Sequence, residues 1–98
     1  MTRKEMRDMI QIRITDKEND KVEIRIRGHA NYKPRGSDIV CSAISALYIA
    51  LYKSTKGKQT VCDDERRLIV PKGGELNMAI CGFDLIARSY PENVTLEK

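Results

Sequence analysis

A histidine and a cysteine on either side of a short loop are the residues most capable of chemistry. His29 is the only histidine in the 98-residue chain, and Cys41 is one of three cysteines. The segment 30–37 between them contains a proline and a glycine, which predicts a loop. A thiol with an imidazole in reach can act as a nucleophile with its general base. The pair therefore points to thiol chemistry.

The segment after the loop is predicted to be a helix that places Cys41 in its first turn. Ser37 and Asp38 are favourable N-cap residues, and an apolar-periodic run follows them. With Asp38 as the N-cap, the sulfur would lie near unpaired backbone N–H groups and the positive end of the helix dipole. Both favour a thiolate, and the same amides could stabilise an oxyanion. Beside the imidazole, Asp38 could instead orient the base.

Two alternating segments before the loop predict a hairpin that leads into His29. Met9–Ile14 and Val22–Arg27 each place isoleucine or valine on one face and polar residues on the other. Strict alternation would put His29 on the polar face, away from the core. Gly28 can break that alternation, because glycine at a strand end often marks a bulge or a bend. A shared site for His29 and Cys41 requires this break.

The remaining segments complete an α+β pattern. A helix is predicted from Asp38 to about Lys56, followed by strands over Gln59–Asp63 and Arg66–Val70. Helical spacing over Leu76–Tyr90 predicts a second helix, and Asn93–Glu97 predicts a last edge strand. The order ββαββαβ predicts a two-layer α+β fold with the helices on one face of a mostly antiparallel sheet.

Length and composition fit one globular domain over residues 1–98, with residues 1–8 as a disordered lead-in. The chain is 41% hydrophobic and 33% charged, which is typical of a folded domain. Its net charge of +4 is spread along the sequence, which predicts no specific nucleic-acid partner. We find no secretory or membrane-spanning pattern and no disulfide framework, since the cysteine count is odd. The expected compartment is the cytoplasm.

Several of these residues also have a purely structural explanation. His29 could be a strand-end histidine bonded to the backbone, and Cys41 could be a buried small hydrophobe. Asp38 is first a helix cap, and Ser45 could bond the helix backbone instead of a site. On the residues alone these alternatives stay open.

The other cysteines and two tyrosines are predicted to serve packing. Cys62 and Cys81 have no histidine near them in sequence, and we expect both to pack in the interior. Tyr48 and Tyr52 continue the helical stripe of Cys41 and are expected to make packing or dimer contacts. A zinc site from the histidine and the three cysteines is disfavoured because no two ligands have paired spacing. We therefore predict neither a metal nor a cofactor.

Two stretches carry a resemblance to a known family. The first is Gly28–Ala30, a loop that ends in glycine, and then Asp38–Leu47 with its Asp-Ile-Val-Cys sequence. The second is Ala87–Leu96, a helix end followed by a strand. Together they resemble the bacterial ribosomal-processing cysteine protease family, Prp.

The resemblance implies a small homodimeric α+β protease of the bacterial cytoplasm that acts on a protein substrate. The family substrate is the precursor of large-subunit ribosomal protein number twenty-seven, which loses a short N-terminal extension. By position, Cys41 would be the nucleophile and His29 the general base, and three further motif residues would support the site: Gly28, Asp38 and Ser45. A substrate loop would contain Asn31, Tyr32, Lys33, Arg35 and Gly36.

Two alternatives accompany this hypothesis. Similar proteins occur in prophages, where the substrate could be a phage protein. The charged loop around Lys33 and Arg35 departs from the family pattern. The resemblance therefore says less about the identity of the substrate than about the thiol chemistry. The other alternative is a non-catalytic module associated with the ribosome or with RNA, although the basic residues form no recognisable binding stripe.

Overall fold

The computed structural model describes residues 9–28, 35–62 and 65–98, and of residues 35–38 only the backbone. Within these ranges the elements follow one another in the predicted order ββαββαβ. The strands are β1 (Ile10–Lys17), β2 (Lys21–Arg27), β3 (Lys58–Cys62), β4 (Glu65–Pro71) and β5 (Val94–Glu97). The helices are α1 (Arg35–Thr55) and α2 (Gly74–Ser89).

The strands form one mixed sheet in the order β3-β4-β2-β1-β5. Three of the neighbouring pairs are antiparallel, and only β5 runs parallel to its neighbour β1. Strands β3 and β5 are the edges, which confirms the prediction of a C-terminal edge strand. The mostly antiparallel α+β fold is therefore confirmed.

One apolar core lies between the sheet and the two helices. Alternate residues of β1 and β2 point into it, including Ile12 and Ile24, which are almost completely buried. Helix α1 contributes Val40, Ile44 and Leu51 at helical spacing, as predicted. The other face of the sheet carries charged residues. None of the described helices is long and apolar enough to cross a membrane.

The two helices pack closely at Gly82, a residue of α2 without a side chain. A Cβ added at Gly82 would lie 2.7 Å from Cδ1 of Leu47. Leu47 is half-buried and packs against the core from this side of α1. The Leu47 side of α1 therefore faces α2, and the opposite flank of α1 is free to line a site.

Most element boundaries differ from the prediction by one to three residues, and three of the differences are informative. Strand β1 continues to Lys17, because the hairpin turn needs only Glu18, Asn19 and Asp20, the last two with positive φ angles of 61° and 58°. Helix α1 starts at Arg35, so the expected N-cap at Asp38 is wrong. Lys56 ends α1 with a φ of 54°, one residue before the predicted stop at Gly57.

Candidate active site

Gly28 provides the backbone break that the predicted site requires. Its φ of 86° lies in the left-handed region, which side chains other than glycine rarely adopt. A Cβ at this position would collide with the carbonyl oxygen of Met9. The backbone therefore leaves the extended conformation at Gly28, immediately after β2. Strand alternation no longer predicts which face of the sheet the next side chain would occupy.

Cys41 lies on α1, but not in its first turn. Because α1 begins at Arg35, Cys41 falls in the second turn. The unpaired amides of the first turn are then about one turn, or roughly 5 Å, from its backbone. The predicted contribution of those amides to the thiolate and to an oxyanion is correspondingly weaker than the N-cap prediction implied.

The thiol of Cys41 is half-buried and packs against the edge of the apolar core. It is neither sealed in hydrocarbon nor fully solvated. This intermediate position differs from the completely buried small hydrophobe considered above. The Cys41 side chain is therefore partly exposed and partly packed against apolar residues.

Ser45 follows Cys41 by one helical turn on the same flank of α1, and it is half-buried. Its hydroxyl forms no hydrogen bond with the described residues, in contrast to Ser54 and Thr55, which donate to the carbonyl of Leu51 at 3.2 and 2.7 Å. The structural alternative for Ser45, a bond to the helix backbone, is therefore not observed.

Two tyrosines continue this flank toward the C-terminal end of α1. Tyr48 is 1% exposed and belongs to the core, and Tyr52 is half-buried against it. The predicted packing role is confirmed for both. The Cζ atom of Arg66 on β4 lies 6.0 Å from the centre of the Tyr48 ring, a contact between distant segments that no local sequence pattern indicates.

The positions of the other predicted site residues divide into two groups. His29 and the loop residues Asn31, Tyr32 and Lys33 lie outside the described residues. Arg35 and Gly36, which the prediction placed in the substrate loop, belong to the first turn of α1 together with Asp38. The helix starts three residues earlier than predicted, although Ser37 and Asp38 are favourable caps.

Cys62 and Cys81 are both exposed, so the prediction that they pack in the interior is wrong. Cys62 ends the edge strand β3, which no described helix covers, and Cys81 lies on the outer surface of α2. Within residues 9–28, 35–62 and 65–98, histidine, cysteine and carboxylate side chains form no cluster of three or more that could hold a metal ion.

The open face of the sheet carries an ion-pair network centred on Glu65. Its carboxylate lies 2.7 Å from Nε of Arg67, 3.5 Å from Nε of Arg27 and 4.0 Å from Nε of Arg25. The hydrogen bond from Arg67 is the main reason why the pKa of Glu65 is lowered, with the charges of Arg25 and Arg27 acting in the same direction. One carboxylate therefore offsets part of the charge of three arginines on this face.

A groove of about 1140 Å³ lies at the end of the sheet where β1 and β4 finish. Leu76 and Ile80 form its apolar side, and Lys72 and Asp16 lie at its rim, with Nζ and Oδ1 3.8 Å apart. Of the predicted site residues whose side chains the structure describes, neither Cys41 nor Ser45 lines this groove. It is separate from the flank of α1 that bears Cys41.

The geometry thus places a half-buried thiol on a helix that follows a glycine-terminated strand, within a five-stranded α+β fold. Residues 9–95 match the family model described as cysteine protease Prp. The chain belongs to this family, and it is a cysteine protease. This membership favours the enzyme over the non-catalytic module. Comparison with curated proteins gives no match.

Solved structures share the fold. The Staphylococcus aureus essential ribosomal processing protease Prp with a covalently linked product peptide has a TM-score of 0.72 and 23% identity, with 91% of this chain and 98% of that chain covered. The same protease with a substrate peptide gives 0.68 and 22%, with the same coverage. SMU.848 from Streptococcus mutans gives 0.69 and 21%, with 91% and 92% covered.

Proposed function

We propose that the chain is an endopeptidase in which Cys41 is the nucleophile and His29 is the general base. His29 accepts the thiol proton, and the sulfur attacks the carbonyl carbon of the scissile peptide bond. The protonated imidazole then donates its proton to the leaving amine, and a thioester remains on Cys41. His29 next takes a proton from water, the hydroxide displaces the sulfur, and the acid product and free thiol are released.

The observation that carries this proposal is the left-handed turn at Gly28, directly before His29. With a φ of 86°, it removes the objection that β2 would keep the imidazole on the charged face of the sheet. The half-buried position of Cys41 is the second support, because a nucleophile must be both oriented and reachable. Gly28, Asp38 and Ser45 are the proposed supporting residues.

For the substrate we propose the precursor of large-subunit ribosomal protein number twenty-seven, cut after its N-terminal extension. The support is the family of the chain and the structures of a ribosomal processing protease that share its fold. Such a substrate places the enzyme in the bacterial cytoplasm. The loop with Asn31, Tyr32 and Lys33 is the proposed substrate contact, and the resemblance supports a homodimer that works without a cofactor or metal.

Purified protein incubated with the precursor from the same organism tests both parts. Mass spectrometry should detect loss of the extension with the parent chain and none with Cys41→Ala or His29→Ala. Cys81→Ala is the matched control, since it removes an exposed thiol from the opposite helix and should cleave at the parent rate. Cleavage by Cys41→Ala at the parent rate would refute the nucleophile. Cys41-dependent cleavage of a phage protein alone would reassign the substrate.

A further inference from the structure

The open face of the sheet, opposite to the helices, collects cations that are scattered along the sequence. Side chains alternate between the two faces along each strand, and the cross-strand register then assigns each strand residue to one face. The carboxylates that the structure describes on the open face are Glu23, Glu65 and Glu97. The cations described there are Arg13, Lys17, Lys21, Arg25, Arg27, Lys58 and Arg67.

This face carries the whole net charge of the described side chains. Its seven cations and three carboxylates give a net charge of +4. The other described side chains, on the helix-facing side and in turns, comprise six cations and six carboxylates. The charge asymmetry therefore arises on folding, because the strand period brings residues together that form no basic stripe in the sequence.

Like charges lie opposite one another on the open face. Arg13 of β1 pairs with Arg25 of β2, and Arg25 pairs with Arg67 of β4, so three arginines form one row across the sheet. Lys17 and Lys21 form a second pair of this kind. Like charges directly opposite each other destabilise a sheet. The two rows therefore cost the isolated fold stability, and an anionic partner would offset that cost.

The carboxylates of the open face leave several of its cations uncompensated. Glu65 is shared by three arginines, and the Nε atom of Arg25 is buried without a hydrogen-bond partner in the described part of the chain. Lys21 and Lys58 are exposed, and neither has a carboxylate within 4.0 Å among the described residues. These two lysines are available to an external anion.

The two available lysines lie at one end of the sheet. Lys21 pairs with Pro71, and Lys58 pairs with Ile69, near the end of β4. Glu65 is at the start of β4, where the chain arrives from residues 63–64, which lie outside the described residues. The available cations are thus at the end of the face remote from that connection.

The chemistry of this face fits the phosphates of a nucleic-acid duplex. A duplex carries one negative charge per about 1.7 Å of its axis, and lysine and arginine are its usual phosphate contacts. The described residues of the open face include no aromatic side chain. Because proteins bind single strands by stacking bases on aromatic rings, this face is suited to a duplex backbone.

We infer that the open face of the sheet binds double-stranded RNA through its phosphates, independently of sequence. Lys21 and Lys58 supply the available cations, and the row of three arginines lies beside them. The inference rests on the proposed function only in selecting RNA among the polyanions, because a protease of a ribosomal protein precursor acts where RNA is abundant. Cys41 lies on the helical layer, so RNA on the open face does not compete with cleavage.

Fluorescence anisotropy with a fluorescein-labelled RNA duplex of about 20 base pairs tests the inference. If the net charge of the face corresponds to about four neutralised phosphates, the affinity should fall about 100-fold between about 50 and 200 mM salt. A duplex of unrelated sequence should bind equally well, and a single strand of the same length should bind more weakly.

Variants locate the binding surface. Lys21→Gln combined with Lys58→Gln should weaken duplex binding at least about tenfold and should lower the slope of log affinity against log salt by about two. Lys53→Gln combined with Lys98→Gln is the matched control, because it removes the same charge from the helix-facing side. This control should bind within about twofold of the parent. Unchanged Tm values would verify that both variants are folded.

Absence of duplex binding at about 50 mM salt, or an equal loss of affinity in the two double variants, would overturn the inference. Tighter binding of a DNA duplex of the same sequence, or binding to phosphatidylglycerol vesicles without duplex binding, would overturn it as well. None of these results affects the proposed function, because precursor cleavage is measured separately. Cleavage that persists in Cys41→Ala would instead refute the proposed function and leave the duplex-binding result unchanged.

Discussion

Gly28 lies so close to Met9 that a Cβ on the glycine would collide with the Met9 carbonyl oxygen. With a φ of 86°, this glycine both ends β2 and fixes the direction in which the chain leaves the sheet. The left-handed backbone and the collision are separate reasons why only glycine fits.

The first prediction is that Gly28→Ala destabilises the protein. The left-handed backbone alone costs a residue with a Cβ about 1–2 kcal/mol, and the collision adds to this. We expect the free energy of unfolding to fall by at least about 2 kcal/mol in urea titration. Gly74→Ala is the control, because a Cβ at that helix start would meet no atom within 4 Å. Equal stability of the two variants would contradict the conclusion that only glycine fits at position 28.

The second prediction concerns the contact between α1 and α2. Gly82→Ala should change the free energy of unfolding by less than about 1 kcal/mol, because the shift that the new methyl group forces on the end of the Leu47 side chain is offset by the better helix propensity of alanine. Leu47→Ala should cost about 2 kcal/mol by loss of apolar contact. The double variant should lose less stability than the two single losses together, since the smaller residue at position 47 makes room for the methyl group. Strict additivity in a denaturation cycle would show that the helices do not meet there.

The third prediction is that removal of the Tyr48 hydroxyl stabilises the protein. The side chain is 1% exposed, and its oxygen has no partner in the described part of the chain. Tyr48→Phe keeps the ring in the core and relieves the cost of an unpaired buried hydroxyl, so the free energy of unfolding should rise by about 1 kcal/mol. A decrease of that size would reveal a hydrogen bond to the hydroxyl.

The fourth prediction follows from the lowered pKa of Glu65. A carboxylate with a folded-state pKa below its unfolded value stabilises the fold above the unfolded pKa, which is about 4.3, and loses that contribution as pH falls through the folded value. The Tm difference between the parent and Glu65→Gln should therefore be constant from pH 7 to about pH 5 and should shrink below about pH 4.

Glu97→Gln provides the comparison for this series. Among the described residues Glu97 pairs with Arg13 alone, at 2.7 Å, and both side chains are more than half exposed. Its loss should change Tm less than the loss of Glu65, which has three arginines around it. A Tm difference for Glu65→Gln that grows toward low pH would contradict the ion-pair account.

The order of elements could be predicted because each has a clear period in the sequence. Ile10, Ile12 and Ile14 alternate with polar residues, and the helices repeat at three and four positions. Gly28 could also be recognised, since the predicted site required a break in the alternation at that residue. The period of each element and the break at Gly28 both depend only on residues that are near in sequence.

Three features were not predicted, each for its own reason. The helix start at Arg35 was missed because Ser37 and Asp38 have the better capping chemistry. Cys62 and Cys81 are exposed because the helices leave β3 and the outer surface of α2 uncovered. The contact of Arg66 with Tyr48 joins distant segments, and only the assembled sheet reveals it.

The central claim is that His29 activates Cys41, and the rate of alkylation of each thiol as a function of pH tests it most directly. With iodoacetamide and peptide mass spectrometry, the exposed thiols of Cys62 and Cys81 serve as internal references in the same sample. We predict that Cys41 reacts at pH 6–7 in the parent and follows the reference thiols in His29→Ala. Identical pH profiles for Cys41 in the two proteins would contradict the account.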